Sequence, residues 1–126
     1  MSLPPSSPSA LIIDPEAIDN LRSLSPDDGD VFLREILTIF LTDTPERIAD
    51  LHSNRISGNT AAFIRAAHSI KGSSSNVGAI ELRALAEKTE HHTRLNGLGS
   101  IDQHVAEIEA AFTRAQAIIE KIITPN

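Results

Sequence analysis

The sequence contains no cysteine, tryptophan or tyrosine, and only four phenylalanines. Without Cys, neither disulfides nor thiolate metal sites can form, and a reducing compartment is compatible with that lack. Without Trp or Tyr, the chain is poorly equipped to stack on nucleic-acid bases. A formal net charge of −6, with no Lys/Arg cluster, repels polyanions as well. Nucleic acid is therefore discounted as a partner. No run of about 18 apolar residues occurs, so no membrane-spanning helix and no membrane partner are expected. The N-terminus has neither the basic region nor the apolar core of a secretory signal, so a cytoplasmic location is expected. What remains for a core is Leu, Ile and Ala, which suits closely packed helices. A chain of 126 residues is long enough for one such core.

Residues 1–11 are rich in Ser and Pro and lack apolar periodicity. They read as a disordered arm or linker, and residues 12–124 as one domain. Asp14-Pro15-Glu16 reads as a helix start: Asp as N-cap, Pro at the first helical position, Glu at the positive dipole end. A short helix follows to about Leu24. A second helix is expected to open near Asp27-Asp28 and to run to about Ile56. It carries Leu33, Ile36, Leu37, Phe40, Thr44, Ile48 and Leu51 in one stripe. Pro45 lies inside it, and the unbroken stripe favours one kinked helix over two. Phe32 and Ile39 form a second apolar strip, to be covered by the first helix or by a partner.

Asn59 or Thr60 should cap a third helix ending at about Ser75. A fourth runs from about Ala79 to Leu95, with Leu82, Leu85, Ala86, Thr89 and Thr93 facing inward. Ser100 is expected to cap a fifth, presenting Ile101, Val105, Ile108, Phe112, Ala115, Ile119 and Ile122. Short connections make successive long helices antiparallel neighbours. The expected fold is all-α: an antiparallel up-down four-helix bundle with an additional short N-terminal helix.

One residue stands out against this pattern. With Phe63 as zero on the third helix, Ala66, Ala67, Ile70, Ser74 and Val77 cluster around it as the core face. His68 lands roughly 140° away. Its surface neighbours are Ala61, Ile64, Lys71, Gly72 and Ser75. A lone histidine on a helix flank is usually just a solvated side chain. Here it stands in a clearing of small residues, one turn from a lysine. A group that titrates near neutral pH in such a place points to chemistry done with a partner. Gly72 costs up to about 1 kcal/mol in a helix interior. It lies roughly 180° from the core centre, where it leaves room for another protein's backbone. Positions 61, 64, 65, 71, 72 and 75 carry no carboxylate, so the ring is expected to be mostly neutral unless a neighbouring helix brings one.

His68, Lys71, Gly72 and Gly78 fit H-x-x-K-G-x-x-x-x-x-G, with Ala79 following. This pattern resembles the histidine phosphotransfer (HPt) domain of two-component phosphorelays. Upstream, Asp14-Pro15-Glu16, Phe40, Pro45 and Leu51 resemble the family's first helices. Downstream, Leu82, Leu85, Glu90 and Arg94 resemble the helix after the motif. The resemblance covers roughly residues 12–123. Thr89 stands where the family usually has an apolar residue.

The resemblance implies that His68 is the phosphoacceptor, taking a phosphoryl group from a receiver-domain aspartate or a sensor kinase and passing it to a response-regulator receiver. Lys71 would offset phosphoryl charge, and Ala61, Ile64, Gly72 and Ser75 would form the docking clearing. Partners would be receiver domains and a sensor or hybrid histidine kinase, with the chain acting as a monomer. No cofactor of its own is implied; Mg²⁺ belongs to the receiver. No glycine-rich phosphate loop is present, so ATP-dependent kinase activity is not expected. The rival reading is a non-catalytic helical adaptor. A metal-binding bundle is disfavoured, because His91 and His92 point about 100° apart and no H-x-x-x-H pair occurs. His52, His91, His92 and His104 read as solvated, and Glu90 with Arg94 as a surface i,i+4 pair.

Overall fold

The computed structural model describes residues 12–124, and the Ser/Pro-rich arm expected over residues 1–11 lies outside them. Five helices follow in order: α1 Pro15–Ser23, α2 Val31–Ser57, α3 Thr60–Val77, α4 Ile80–Asn96 and α5 Asp102–Ile123. No strand occurs among the described residues. α2 packs on α3, α3 on α4, α4 on α5, and α5 returns to α2, closing the expected four-helix bundle. α1 lies across α2 and α3.

The apolar stripes set this arrangement. Leu33, Leu37, Phe40, Thr44, Ile48 and Leu51 of α2 are all buried, and the helix runs unbroken through Pro45. A proline inside a helix removes one backbone hydrogen bond and costs about 3 kcal/mol. Burial of five large apolar side chains on that stripe, at about 1.5–3 kcal/mol each, outweighs it. Phe63, Ala67 and Ile70 of α3 face Leu82 and Ala86 of α4 across the centre, with Ile108, Ala115 and Ile119 of α5. Phe40 and Phe112 meet with ring centroids 5.8 Å apart. Thr89 is buried as well, and its hydroxyl donates to Leu85 O at 2.8 Å, so its burial leaves no donor unpaired.

The helix starts show where local chemistry decides. Asp14 caps α1 through Glu16 N at 3.0 Å, and Asn59 caps α3 through Ala62 N at 3.1 Å. α2 opens later than expected, at Val31, with residues 25–30 in turns. Asp28 still serves it, accepting from Phe32 N at 3.0 Å. Ser100 does not cap α5. Ile101 takes the N-cap position, without a side-chain cap, and Ser100 sits outside in the left-handed region at φ 57°. The reason is burial: Ile101 is 1% exposed and closes the end of the core, which outweighs the hydroxyl cap.

Two further expectations need correction. Leu85 and Ile122 are half-buried rather than core. Phe32 is half-buried, but Ile39 remains 61% exposed, so α1 does not cover that strip. No described helix is long and apolar enough to cross a membrane.

Candidate functional site

α3 presents His68 away from the core, with 63% of its side chain exposed. One side of the ring is nevertheless held. Nδ1 lies 3.2 and 3.3 Å from the two carboxylate oxygens of Glu90 on α4. A carboxylate can only accept, so Nδ1 carries the hydrogen. In the neutral ring this leaves the lone pair on Nε2, the nitrogen not engaged by Glu90.

The i,i+4 spacing of Glu90 to Arg94 leads one to expect no more of Glu90 than a weak helix pair. The structure instead buries it to 7% exposure and gives it three partners. Lys71 Nζ lies 3.2 Å from Oε1, and the Arg94 guanidinium donates to Oε2 at 2.8 Å. His68 is the third. His68 has no carboxylate beside it on its own helix, and the neighbouring helix brings one in Glu90. Burial works against the charge of Glu90. Hydrogen bonds from Arg94, Lys71 and His68, with the Coulomb attraction of Lys71, outweigh that and hold its carboxyl below the usual range. The stability these contacts provide is present above the ordinary carboxylate range and lost as pH falls through the lowered value. Lys71 is thus not a free cation beside His68; in the resting protein its charge is already directed at Glu90.

A Cβ built on Gly72 would meet nothing within 4 Å, so no packing among the described residues requires glycine there. Ala61, Gly72 and Ser75 are exposed and Ile64 is half-buried. On the α4 side, an open basin of about 500 Å³ is lined by Lys71, Glu87, Lys88, Glu90, His91 and Arg94. The structure therefore brings His68 and Lys71 together at Glu90 and leaves Ala61, Gly72 and Ser75 exposed.

Among the other histidines, His52 pairs with Glu109 of α5 at 2.7 Å. His92 and His104 are half-buried and stacked on each other rather than solvated. Among the described residues, no three His, Cys, Asp or Glu side chains are grouped to hold a metal ion.

The Hpt domain family model matches residues 35–118. Histidine-containing phosphotransfer protein B of Pseudomonas aeruginosa shares 25% identity, with a TM-score of 0.82 over 96% of this chain and 99% of that one. A histidine-containing phosphotransfer protein from maize shares 19%, with a TM-score of 0.80 over 93% of this chain and 86% of that one. The Hpt domain of a sensor hybrid histidine kinase from Shewanella shares 14%, with a TM-score of 0.69 over 86% and 93%. Comparison with curated proteins gives no significant match.

Proposed function

Because the chain belongs to the Hpt domain family, and so carries phosphoryl groups in two-component phosphorelays, we propose that His68 is the residue that holds them. The observation that carries this is the half-held ring: Nδ1–H bound to a buried carboxylate, and the remainder exposed. In the transfer, Nε2 attacks the phosphorus of a receiver's aspartyl phosphate. The N–P bond forms as the P–O bond to the aspartate breaks, and the aspartate leaves as a carboxylate. No proton need leave the ring, because Nε2 attacks through its lone pair. Passing the group onward is the same exchange in reverse. Phosphoryl transfer asks chiefly for in-line positioning and charge neutralisation. Glu90 supplies the positioning. Lys71, one turn from His68, offers a cation that can turn from Glu90 to the new dianion. We place the Mg²⁺ on the receiver. The absence of a glycine-rich loop supports a carrier without ATP-dependent activity, and the working unit is a single cytoplasmic copy.

The direct test mixes the protein with an isotopically phosphorylated receiver domain and follows the label. Acid-labile, base-stable phosphate should appear on this chain and map to His68. Label that stays on the receiver, or maps elsewhere, refutes the assignment.

Two further outcomes follow from the geometry. Glu90→Gln keeps a carbonyl acceptor but removes the anion that orders the ring and both cations. Hydrogen bonds to charged groups contribute about 1.5–3 kcal/mol. Uptake should therefore slow roughly ten- to a hundredfold, and ¹⁵N shifts of the His68 ring should show the Nε2–H tautomer gaining population. An unchanged rate and unchanged shifts would make Glu90 a purely structural anchor. Gly72→Arg fills the clearing at no internal cost. Transient signalling interfaces are small, often below about 1,200 Å² in total, so receiver affinity should fall while the melting temperature holds or rises slightly as the helix loses its glycine. Calorimetry showing full affinity would mean the receiver approaches from another side.

A further inference from the structure

The α4–α5 junction carries a second, independent cluster of titratable groups. His92 of α4 and His104 of α5 stack with ring centroids 4.5 Å apart and planes inclined by 28°. Their hydrogen bonds place the ring hydrogens. Gly99 O can only accept, so His92 Nε2, 3.3 Å away, donates to it. The Asn96 amide nitrogen donates to the His92 backbone carbonyl at 3.2 Å and lies 3.4 Å from His92 Nδ1. Nδ1 therefore accepts. The Thr89 hydroxyl gives its hydrogen to Leu85 O, so toward His104 Nδ1, at 3.5 Å, it can only accept. His104 carries its hydrogen on Nδ1.

We propose that this stack is an acid-sensitive latch: with both rings neutral it ties the Gly97–Ser100 turn to α4, and charging His104 releases it. Protonating His104 places a cation against the face of His92. The surroundings oppose charge on His104. Burial comes first, then His92 and Lys88, with only Glu107 acting the other way, and the ring is held below its ordinary value. Glu107 is itself engaged by Gln103. The charged groups that α2 turns toward α5 are already matched, Arg55 with Asp102 and His52 with Glu109. Those that α3 turns toward α4, His68 and Lys71, meet Glu90, roughly 200° around the helix from His92.

The sign follows. A histidine with a depressed folded value contributes full stability above the ordinary imidazole range, near about pH 6.5. That contribution is lost as pH falls, because the unfolded or opened chain takes up the proton first. The turn released follows directly on the last residues of α4, where Arg94 sets its guanidinium on Glu90. Acidification would thus loosen one of the three contacts on the carboxylate that holds His68. Only this last link rests on the phosphoacceptor assignment; the latch does not.

The test is amide hydrogen exchange of the full chain between pH 7.5 and 5.5, corrected for intrinsic rates, together with NMR titration of the ring protons. Residues 97–100 should exchange severalfold faster at the lower pH while α2 amides hold, and His104 should titrate below a free histidine. His104→Phe keeps an aromatic face without the charge and should abolish most of that acceleration. If the variant folds poorly, the unsubstituted chain decides alone. Exchange at residues 97–100 that ignores pH, or a His104 that titrates as a free histidine does, overturns the latch. So does an equal acceleration in a folded His104→Phe. Loosening without any change in phosphate uptake would detach the latch from His68 and leave both assignments standing.

Discussion

His68→Gln is expected to reduce phosphate uptake to background while leaving the bundle's melting almost unchanged. The side chain is 63% exposed and belongs to no core contact, so the substitution should cost within about 0.5 kcal/mol. Glutamine can still reach toward Glu90 through its amide. It has no nitrogen lone pair able to attack phosphorus, because the amide nitrogen is conjugated with its carbonyl. Intact-mass measurement after incubation with a phosphorylated receiver reads the first effect, and calorimetry the second. A folded variant that still gains phosphate would move the acceptor elsewhere and return the chain to the reading of a helical adaptor.

The second large effect concerns stability. Gly78 ends α3 at φ 75°, a conformation costing a residue with a Cβ roughly 1–2 kcal/mol. Space is lacking too. An added Cβ would lie 2.5 Å from the Ala17 Cβ and 3.3 Å from the Asp14 carbonyl oxygen. The same glycine binds the chain there, its carbonyl accepting from Asp14 N at 2.8 Å. Gly78→Ala must therefore push α1 away, and a total of about 2–4 kcal/mol is expected. Gly58 provides the control. It ends α2 at φ 76° with nothing within 4 Å of a Cβ, so Gly58→Ala should show the backbone cost alone. Denaturant unfolding of both variants separates the two contributions. Equal losses would mean that the approach of α1 is not what demands glycine at position 78.

The core was legible because its signal is periodic and local. The stripe from Leu33 to Leu51 is buried as its spacing implies, and the off-stripe angle of His68 becomes real exposure. What sequence reading missed depends on contacts between helices. Glu90 looked like a solvated partner of Arg94 because glutamates rarely go inside. Yet Leu82, Ala86 and Glu90 form one i,i+4 row, so a carboxylate continues a buried line, and that was the available signal. His92 and His104 are twelve residues apart in sequence and meet only because the α4–α5 turn folds back. Ser100 was a plausible cap by residue type, but the next residue had apolar surface to hide.

Helix lengths explain why a fifth helix is present at all. α2 has 27 residues and α3 has 18, so at about 1.5 Å per residue α2 is longer by roughly 13 Å. Only Gly58 and Asn59 separate them, which aligns their ends at that junction. The whole excess therefore rises past the other end of α3, beside Gly78. A four-helix bundle cut this way has a step in its roof, with one wall of α2 standing above α3. α1 lies in that step, touching both helices and tied to Gly78 through Asp14. The short first helix thus acts as a filler whose size is set by the mismatch. Deleting two turns from the start of α2 would remove the wall it leans on and leave Ile13 and Ile18 with less to pack against.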